Sequence, residues 1–275
     1  MRERLKTVLS ELGIEYFGAL SYSDCIETGA RIIEREDFIP RSVIIYLLPY
    51  YGGECVNISR YAASFDYHLA IEIVNSAITR ALRELTPEAG IRGYGDHSPI
   101  DERHAALIAG LGIAGDNGLI INEKYGSYVF VGDVVTDIDP EVLGASLPMP
   151  IVRCEGCGAC RTACPTGILR GEGEDCLSAV TQRKGELTER EKELMREYNT
   201  AWGCDICQSS CPHNAAPVLT PIGFFLKDRI SELTAEGLAK MDKAALRARA
   251  FGWRGRAVLE RNLEILAKTE NLHKK

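Results

Sequence analysis

Leu5, Val8, Leu9 and Leu12 recur at intervals of three and four, and Gly13 follows them. Residues 2–12 therefore read as an amphipathic helix with a glycine stop. Residues 14–20 look like a strand. Residues 42–48 form an unbroken β-branched and apolar run, the mark of a strand buried on both faces. A long helical pattern covers 58–85 and ends before Pro87. Ser98-Pro99-Ile100-Asp101 reads as a helix start, with Ser98 as N-cap, Pro99 at the first helical position and an acid at the third, for a helix running to about residue 111. Residues 119–121 and 128–135 read as a strand pair around the turn 122–126. Helices and strands thus alternate as an α/β or α+β domain up to Pro148-Met149-Pro150, which breaks the pattern. Residues 150–220 are rich in Cys and Gly and poor in large apolar side chains, so an inorganic staple is expected there. Helical patterns resume over 231–268. The expected domains are 1–148, 149–220 and a helical segment at 221–275.

Composition narrows the class. The 275 residues are 45% hydrophobic and 26% charged, as in ordinary globular proteins. No uncharged stretch approaches the roughly 20 residues a membrane helix needs, and the longest apolar candidate, 42–53, holds a proline. The amino terminus shows no apolar signal core, so a cytoplasmic location is expected. The net charge of −7 (32 basic against 39 acidic residues) argues mildly against a nucleic-acid-coating role.

Cysteine carries the chemistry. Of 10 cysteines, eight fall between Cys154 and Cys211, and reduced thiols clustered in a cytoplasmic chain read as metal or redox ligands. Cys154, Cys157, Cys160 and Cys164, followed by Pro165, form C-x2-C-x2-C-x3-C-P, the bacterial ferredoxin run. Small residues between them let the backbone approach a cubane closely. Cys204, Cys207 and Cys211-Pro212 repeat the C-x3-C-P ending with three thiols. Two [4Fe–4S] clusters need eight thiolates, and Cys176, between the motifs, completes the set. By the crossover rule one cluster takes Cys154, Cys157, Cys160 and Cys211, and the other takes Cys164, Cys176, Cys204 and Cys207. A pair of structural zinc sites is the plainer alternative, but zinc does not require the third Cys or the repeated C-x3-C-P ending. Cys25 and Cys55 read as bystanders.

Beyond the thiols, the chain resembles the epoxyqueuosine reductases, relatives in chemistry of the reductive dehalogenases. The likeness is carried by Cys-Pro-Thr-Gly after the first run, Cys176-Leu-Ser with Thr181-Gln182-Arg183-Lys184-Gly185, and Gly203-Cys-Asp-Ile-Cys-Gln ending in Cys-Pro-x-Asn214. It extends to Arg60-Tyr61 with Asp66-Tyr67-His68, Asp96 with Glu102-Arg103, Ala109-Gly110-Leu111-Gly112, Asn117, Tyr125-Gly126-Ser127-Tyr128, and Arg261-Asn262. The resemblance implies an α+β chain. A nitroreductase-like α/β amino-terminal domain would hold cobalamin and substrate, followed by a dicluster ferredoxin-like domain and short carboxy-terminal helices. It implies two [4Fe–4S] clusters, cobalamin, Asp96 as proton donor beside cobalt, and corrin contacts from Arg103, Asn122, Ser178 and Lys184. A carboxyl over an apolar corrin would have its pKa raised by desolvation, as a general acid requires. The reaction implied is reduction of an epoxide to an alkene on the queuosine precursor in tRNA, fed by a low-potential donor of ferredoxin or flavodoxin type, with no membrane involved. The chain departs from the family in lacking its HEAT-like carboxy-terminal region and in reading Gly115-Asp116-Asn117 for Gly-Lys-Asn. A short member is therefore expected to act on tRNA or on a smaller electrophilic substrate such as a free nucleoside. Two other readings remain: a dicluster ferredoxin-like electron carrier, and a reductive activator of a corrinoid protein.

Gly110-x-Gly112-x-x-Gly115 fits the dinucleotide pattern but ends a helix, so it reads as a C-cap and a turn bringing backbone close to a cofactor. His68 reads as packed, His97 as a second acid beside Asp96, and His104 as facing solvent or a carboxylate. From Ala216 onward 12 basic residues stand against 7 acidic ones. Arg247, Arg249, Arg254, Arg256 and Arg261 there read as a solvated helix face in preference to a phosphate or RNA site.

Overall fold

The computed structural model describes residues 1–270. The last residues of the segment expected at 221–275 lie outside them. The chain is a mixed α+β protein divided into two compact units. One comprises 1–50, 68–156 and 220–222; the other comprises 51–67, 157–219 and, of the described residues, 223–270.

In the first unit, α1 (Arg2–Glu11) buries Leu5, Val8 and Leu9 along one stripe. A four-stranded antiparallel sheet follows the order β1 (Phe17–Ser21), β2 (Ser42–Pro49), β6 (Val129–Thr136), β3 (Ile91–Tyr94). A four-residue helix, α2 (Ala30–Ile33), lies between β1 and β2 in the chain. Every residue of β2 is buried, as its apolar run predicts. The two-residue alternation of a strand then sorts its faces. Val43, Ile45 and Leu47 join Leu20, Ala105, Ala106 and Ile108 in one core, and the Tyr46 hydroxyl donates to Asn75 Oδ1 at 2.8 Å. Asn75 belongs to α3 (Tyr67–Arg83), whose buried face carries Ile71, Val74, Ile78 and Leu82 at helical spacing. Ala105, Ala106 and Ile108 belong to α4 (Glu102–Ile108). The short hairpin β4 (Ile113–Ala114) and β5 (Ile120–Ile121) and the turn α5 (Pro140–Leu143), capped by Asp139, complete the unit.

Several local expectations are corrected. The pattern over 58–85 is helical only from Tyr67, after a single 3-10 turn at Arg60–Ala62. Ser59 and Arg60 bond to Asp205, and the Asp66 N–H donates to the Ala248 carbonyl, so tertiary bonds replace the first helical turns. Ser98 is not the N-cap of α4. Its hydroxyl donates to Asp133 at 3.0 Å, and Asp101 caps the helix by accepting the His104 N–H at 2.8 Å. Residues 119–121 and 128–135 do not pair with each other: β5 pairs with β4, and β6 with β2 and β3. The chain turns away at Asn122, whose Oδ1 accepts the N–H groups of Lys124 and Tyr125 while its Nδ2 donates to the Leu111 carbonyl. Strand β3 was not anticipated.

In the second unit, α6 (Ala159–Ala163) packs on α9 (Ile206–Ser209). Two apolar cores lie elsewhere in it. One joins Leu177 and Val180 of α7 (Leu177–Gln182), Leu194 and Met195 of α8 (Glu189–Glu197), and Ile265 of α13 (Arg256–Glu270). The other gathers Trp202 and Phe251 with Leu238 of α11 (Ala235–Lys240) and Leu246 of α12 (Lys243–Arg247). The remaining helix, α10 (Gly223–Leu226), buries Phe225. The expectation of too little core over 150–220 thus holds only for its first part: within 151–176 the buried residues are Cys160, Cys164 and Gly167. Among the described residues no helix is long and apolar enough to cross a membrane.

Candidate active site and cluster ligands

The C-x3-C-P spacing has a local cause. Cys160 sits in α6, and Cys164 terminates that helix with extended backbone (φ −61°, ψ 117°). Cys207 sits in α9, and Cys211 is likewise extended (φ −74°, ψ 128°). A residue before proline is driven out of the helical region, so each motif keeps one sulfur on a helical turn and swings the next away. Gly156 and Gly158 adopt left-handed backbone (φ 66° and 78°) that bends the first run between its thiols. Cys176 is the N-cap residue of α7.

All ten cysteines are thiols, with none in a disulfide. Burial pushes the Cys207 thiol up to about 11, and Cys176, Cys164, Cys160 and Asp205 push it the same way. Burial pushes Cys204 up to about 12, opposed by the Ile206 N–H and reinforced by Cys176, Cys207 and Asp205. Cys207 therefore lies within electrostatic reach of Cys160, Cys164 and Cys176, and Cys204 within reach of Cys176 and Cys207. Burial also pushes Cys164 up, but N–H groups of Leu169, Thr166 and Gly167 and the Thr166 hydroxyl outweigh it, and its net shift is down. Among the described residues no three metal-ligating side chains converge on a single ion. Sulfurs that surround a cubane stand further apart than the ligands of one zinc.

Arg60 and Tyr61 support the second thiol loop. Asp205 accepts the Arg60 N–H at 2.7 Å, Arg60 Nη1 at 3.1 Å and the Ser59 hydroxyl. The Tyr61 hydroxyl accepts Trp202 Nε1 at 3.0 Å. Asn262, fully buried, donates to the carbonyls of Thr181 and Ala201 at 2.7 and 2.8 Å. Asn262→Ala strands both carbonyls, and should destabilise the protein by about 1–3 kcal/mol, read as a lower denaturation midpoint. Three of the five basic side chains read as a solvated face are committed instead to main-chain carbonyls: Arg249 to Asp228, Arg256 to Leu238 and Met241, and Arg261 to Arg183 and Gly185.

The other candidate chemistry lies in the first unit. Asp96, between β3 and α4, has left-handed backbone (φ 65°), a strained choice for a residue with a Cβ that Asp tolerates better than most. Its carboxylate is half exposed, and Oδ2 lies 3.4 Å from His68 Nε2. His68 is thus a neighbour of the candidate acid, not a packed core residue, although the helical pattern alone gave no sign of it. A second missed feature is Asp133, an acid fully buried in the middle of β6, legible as a charge inside an apolar run.

Arg103 is exposed, and its Nη1 donates to the Gly118 carbonyl at 2.7 Å. Asn122 is buried with its amide spent on backbone. Ser178 is half-buried, accepting Gln182 Nε2 at 3.1 Å, and Lys184 is exposed. The Asp116 N–H points at Cys154 Sγ over 3.4 Å. Gly112 brings backbone close to β5, where an added Cβ would stand 2.6 Å from the Ile121 carbonyl oxygen.

Residues 153–214 match the 4Fe-4S double cluster binding domain, so this lobe is an iron–sulfur domain and not a pair of zinc sites. An epoxyqueuosine reductase of Leadbetterella byssophila is 30% identical over 248 residues, 78% of this chain and 80% of that protein. The chain belongs to the epoxyqueuosine reductase family. The Listeria monocytogenes member is 34% identical over 162 residues, 57% of this chain but only 41% of that protein, so the match spans less than half of that relative. The fold agrees: the epoxyqueuosine reductase structure from Streptococcus thermophilus superposes with a TM-score of 0.76 at 23% identity, covering 97% of this chain and 80% of that one.

Proposed function

We propose that this chain is a cytoplasmic, cobalamin-dependent oxidoreductase that reduces an epoxide to an alkene on the queuosine precursor in tRNA. Family membership over 248 residues carries the reading, because a match of that length takes in most of the chain and not the thiol runs alone. A structural neighbour at 20% identity is described with an epoxyqueuosine-modified tRNA-Tyr stem loop, which makes that stem loop the substrate to try first. In this reading residues 1–148 hold cofactor and substrate, 149–220 hold the clusters, and 221–275 are a carboxy-terminal helical segment.

The donor set suits two cubanes: one held by Cys154, Cys157, Cys160 and Cys211, the other by Cys164, Cys176, Cys204 and Cys207. The reach of Cys207 to Cys164 and Cys176, and of Cys204 to Cys176, supports the second group, and Cys160 of the first group also lies within reach of Cys207. For a corrin, Arg103, Ser178 and Lys184 offer donors at exposed or half-buried positions, whereas Asn122 acts through the turn it holds. Bound cobalamin supplies the low-potential metal chemistry at carbon. Opening an epoxide to an alkene consumes two electrons and two protons and releases water. Asp96 supplies one proton from Oδ1 or Oδ2, and His68 lies where it can orient or re-protonate that carboxylate. The electrons come from a low-potential donor of ferredoxin or flavodoxin class.

Asp116 places a carboxylate beside the Cys154 end of the relay, and its N–H donates to that sulfur. Cluster potentials follow local charge, so Asp116→Asn should raise the potential of the cluster held through Cys154, measured by EPR-monitored redox titration.

The reading is tested by titrating cob(II)alamin into the anaerobically reconstituted protein, followed by visible and EPR spectra, and then assaying an epoxyqueuosine-modified stem loop against the free nucleoside. Turnover of the stem loop supports the proposal, and turnover of the nucleoside alone shifts the substrate. Absence of cobalamin binding sinks it and leaves the dicluster carrier. Cobalt reduction only in a separate corrinoid protein identifies the activator.

A further inference from the structure

Asp133 lies at the centre of β6, opposite Ile45 of β2 and Tyr94 of β3, and is fully buried. Its Oδ2 accepts the Ser98 hydroxyl, whereas its Oδ1 meets no N–H or hydroxyl donor among the described residues. The carboxyl of Glu102, the first residue of α4, stands within hydrogen-bonding reach of Asp133. Two carboxyl groups can bond only if one of them carries a proton. Both ionised, they would repel in an apolar interior without the water that makes such charges tolerable. Glu102 Oε1 also accepts the backbone N–H of Asp96 at 3.2 Å, at the left-handed turn itself.

We infer that Glu102 and Asp133 share one proton as an acid–carboxylate pair, and that this pair holds the Asp96 turn in its working conformation, which makes Glu102 a positioning residue. The inference deepens the reading of Asp96 as proton donor and rests on it. Glu102 spends its O–H on Asp133 and its Oε1 on the Asp96 amide, so the buried charge and the exposed turn are joined through one side chain.

The titratable groups facing the pair are Tyr22 and Cys25 near the end of β1, Tyr46 of β2, Tyr94 of β3, and Asp96. His68 faces Asp96 from α3. Burial pushes Glu102 up to about 9, and Asp133 and Asp96 add to the push against a small opposing contribution from the Asp96 N–H. Burial also pushes Asp133 up, to about 7, against the smaller opposing pull of its bonds from Ser98 and Glu102. Glu102 is therefore the member that keeps the shared proton between about pH 7 and pH 9.

Glu102→Gln imitates the protonated form at every pH: its Oε1 accepts from the Asp96 N–H and its Nε2 donates to Asp133. Glu102→Ala lets the turn drift and should lower stem-loop turnover by about 10²-fold, the scale of a small misplacement of a reacting group. Glu102→Gln should recover most of that loss. Wild-type turnover should also fall as pH rises through about 9, where Glu102 ionises, and this alkaline fall should vanish in Glu102→Gln. Independently of activity, infrared spectra at pH 8, between the two values, should show a buried protonated-carboxyl stretch that Glu102→Gln abolishes and Asp96→Asn retains. Stability gives the same sign. Unfolded carboxyls lose their protons near pH 4, so the folded pair holds extra protons from there to about pH 7 on Asp133 and to about pH 9 on Glu102, and stability falls across that window. Glu102→Gln should flatten the fall. The inference is overturned if the infrared band is missing from the wild type, or if Glu102→Gln is as impaired as Glu102→Ala. If instead Asp96→Asn turns over normally while the band behaves as described, the proton-donor reading fails and the pair stands.

Discussion

Cys207→Ala is expected to halve the iron content of the anaerobically reconstituted protein, from about eight irons per chain to about four. The thiol of Cys207 lies in electrostatic reach of Cys176, Cys164 and Cys160, and its helix α9 packs on α6, so this sulfur stands where the two thiol runs meet. The structural consequence should be local. Within 151–176 the buried residues are Cys160, Cys164 and Gly167, so that stretch has no apolar core to fall back on. Met195, Leu177 and Ile265, by contrast, sit in a core of ordinary side chains. Hydrogen exchange in the variant should therefore rise sharply over 151–176 and around Cys204, and stay slow in α8 and α13. Cys25→Ser and Cys55→Ser should leave the iron unchanged. Full iron content in Cys207→Ala would remove Cys207 from the ligand set, and uniform loss of protection would show that the apolar cores also depend on the metal.

What the sequence disclosed follows the range of the interactions involved. The all-buried β2 was legible because eight consecutive residues face protein on both sides, and nothing local contradicts the run. The thiol motifs were legible because reach around a cubane is set by two or three intervening residues and by the proline that ends each helix. The errors arise where a partner distant in sequence overrides a local rule. Ser98 has the residue type and setting of an N-cap, but Asp133, 35 positions away, takes its hydroxyl. Residues 119–121 and 128–135 look like a hairpin, yet Asn122 locks a turn that sends each to a different partner. The helical pattern over 58–85 gives way at Ser59 and Arg60 because Asp205 binds both. His68 and Asp96 are 28 residues apart, so only the fold brings them together.

Asp96→Asn should lower the single-turnover rate on the epoxyqueuosine-modified stem loop by about 10²–10⁴-fold, the usual contribution of a positioned acid. An amide has the shape of a carboxylic acid but no proton of comparable acidity, so cobalamin binding and cluster spectra should not change. The position makes the effect specific. Asp96 is kept in left-handed backbone, a conformation that costs a residue with a Cβ on the order of 1–3 kcal/mol unless its surroundings impose it. Asn tolerates that backbone as readily as Asp, so the substitution should remove the proton and leave the turn in place. His68→Gln should act more weakly. It removes a neighbour 3.4 Å from the carboxylate but not the acid, and should chiefly alter the pH dependence of the rate. A normal rate in Asp96→Asn would assign proton delivery to another group, with His97, the adjacent residue, the first to replace.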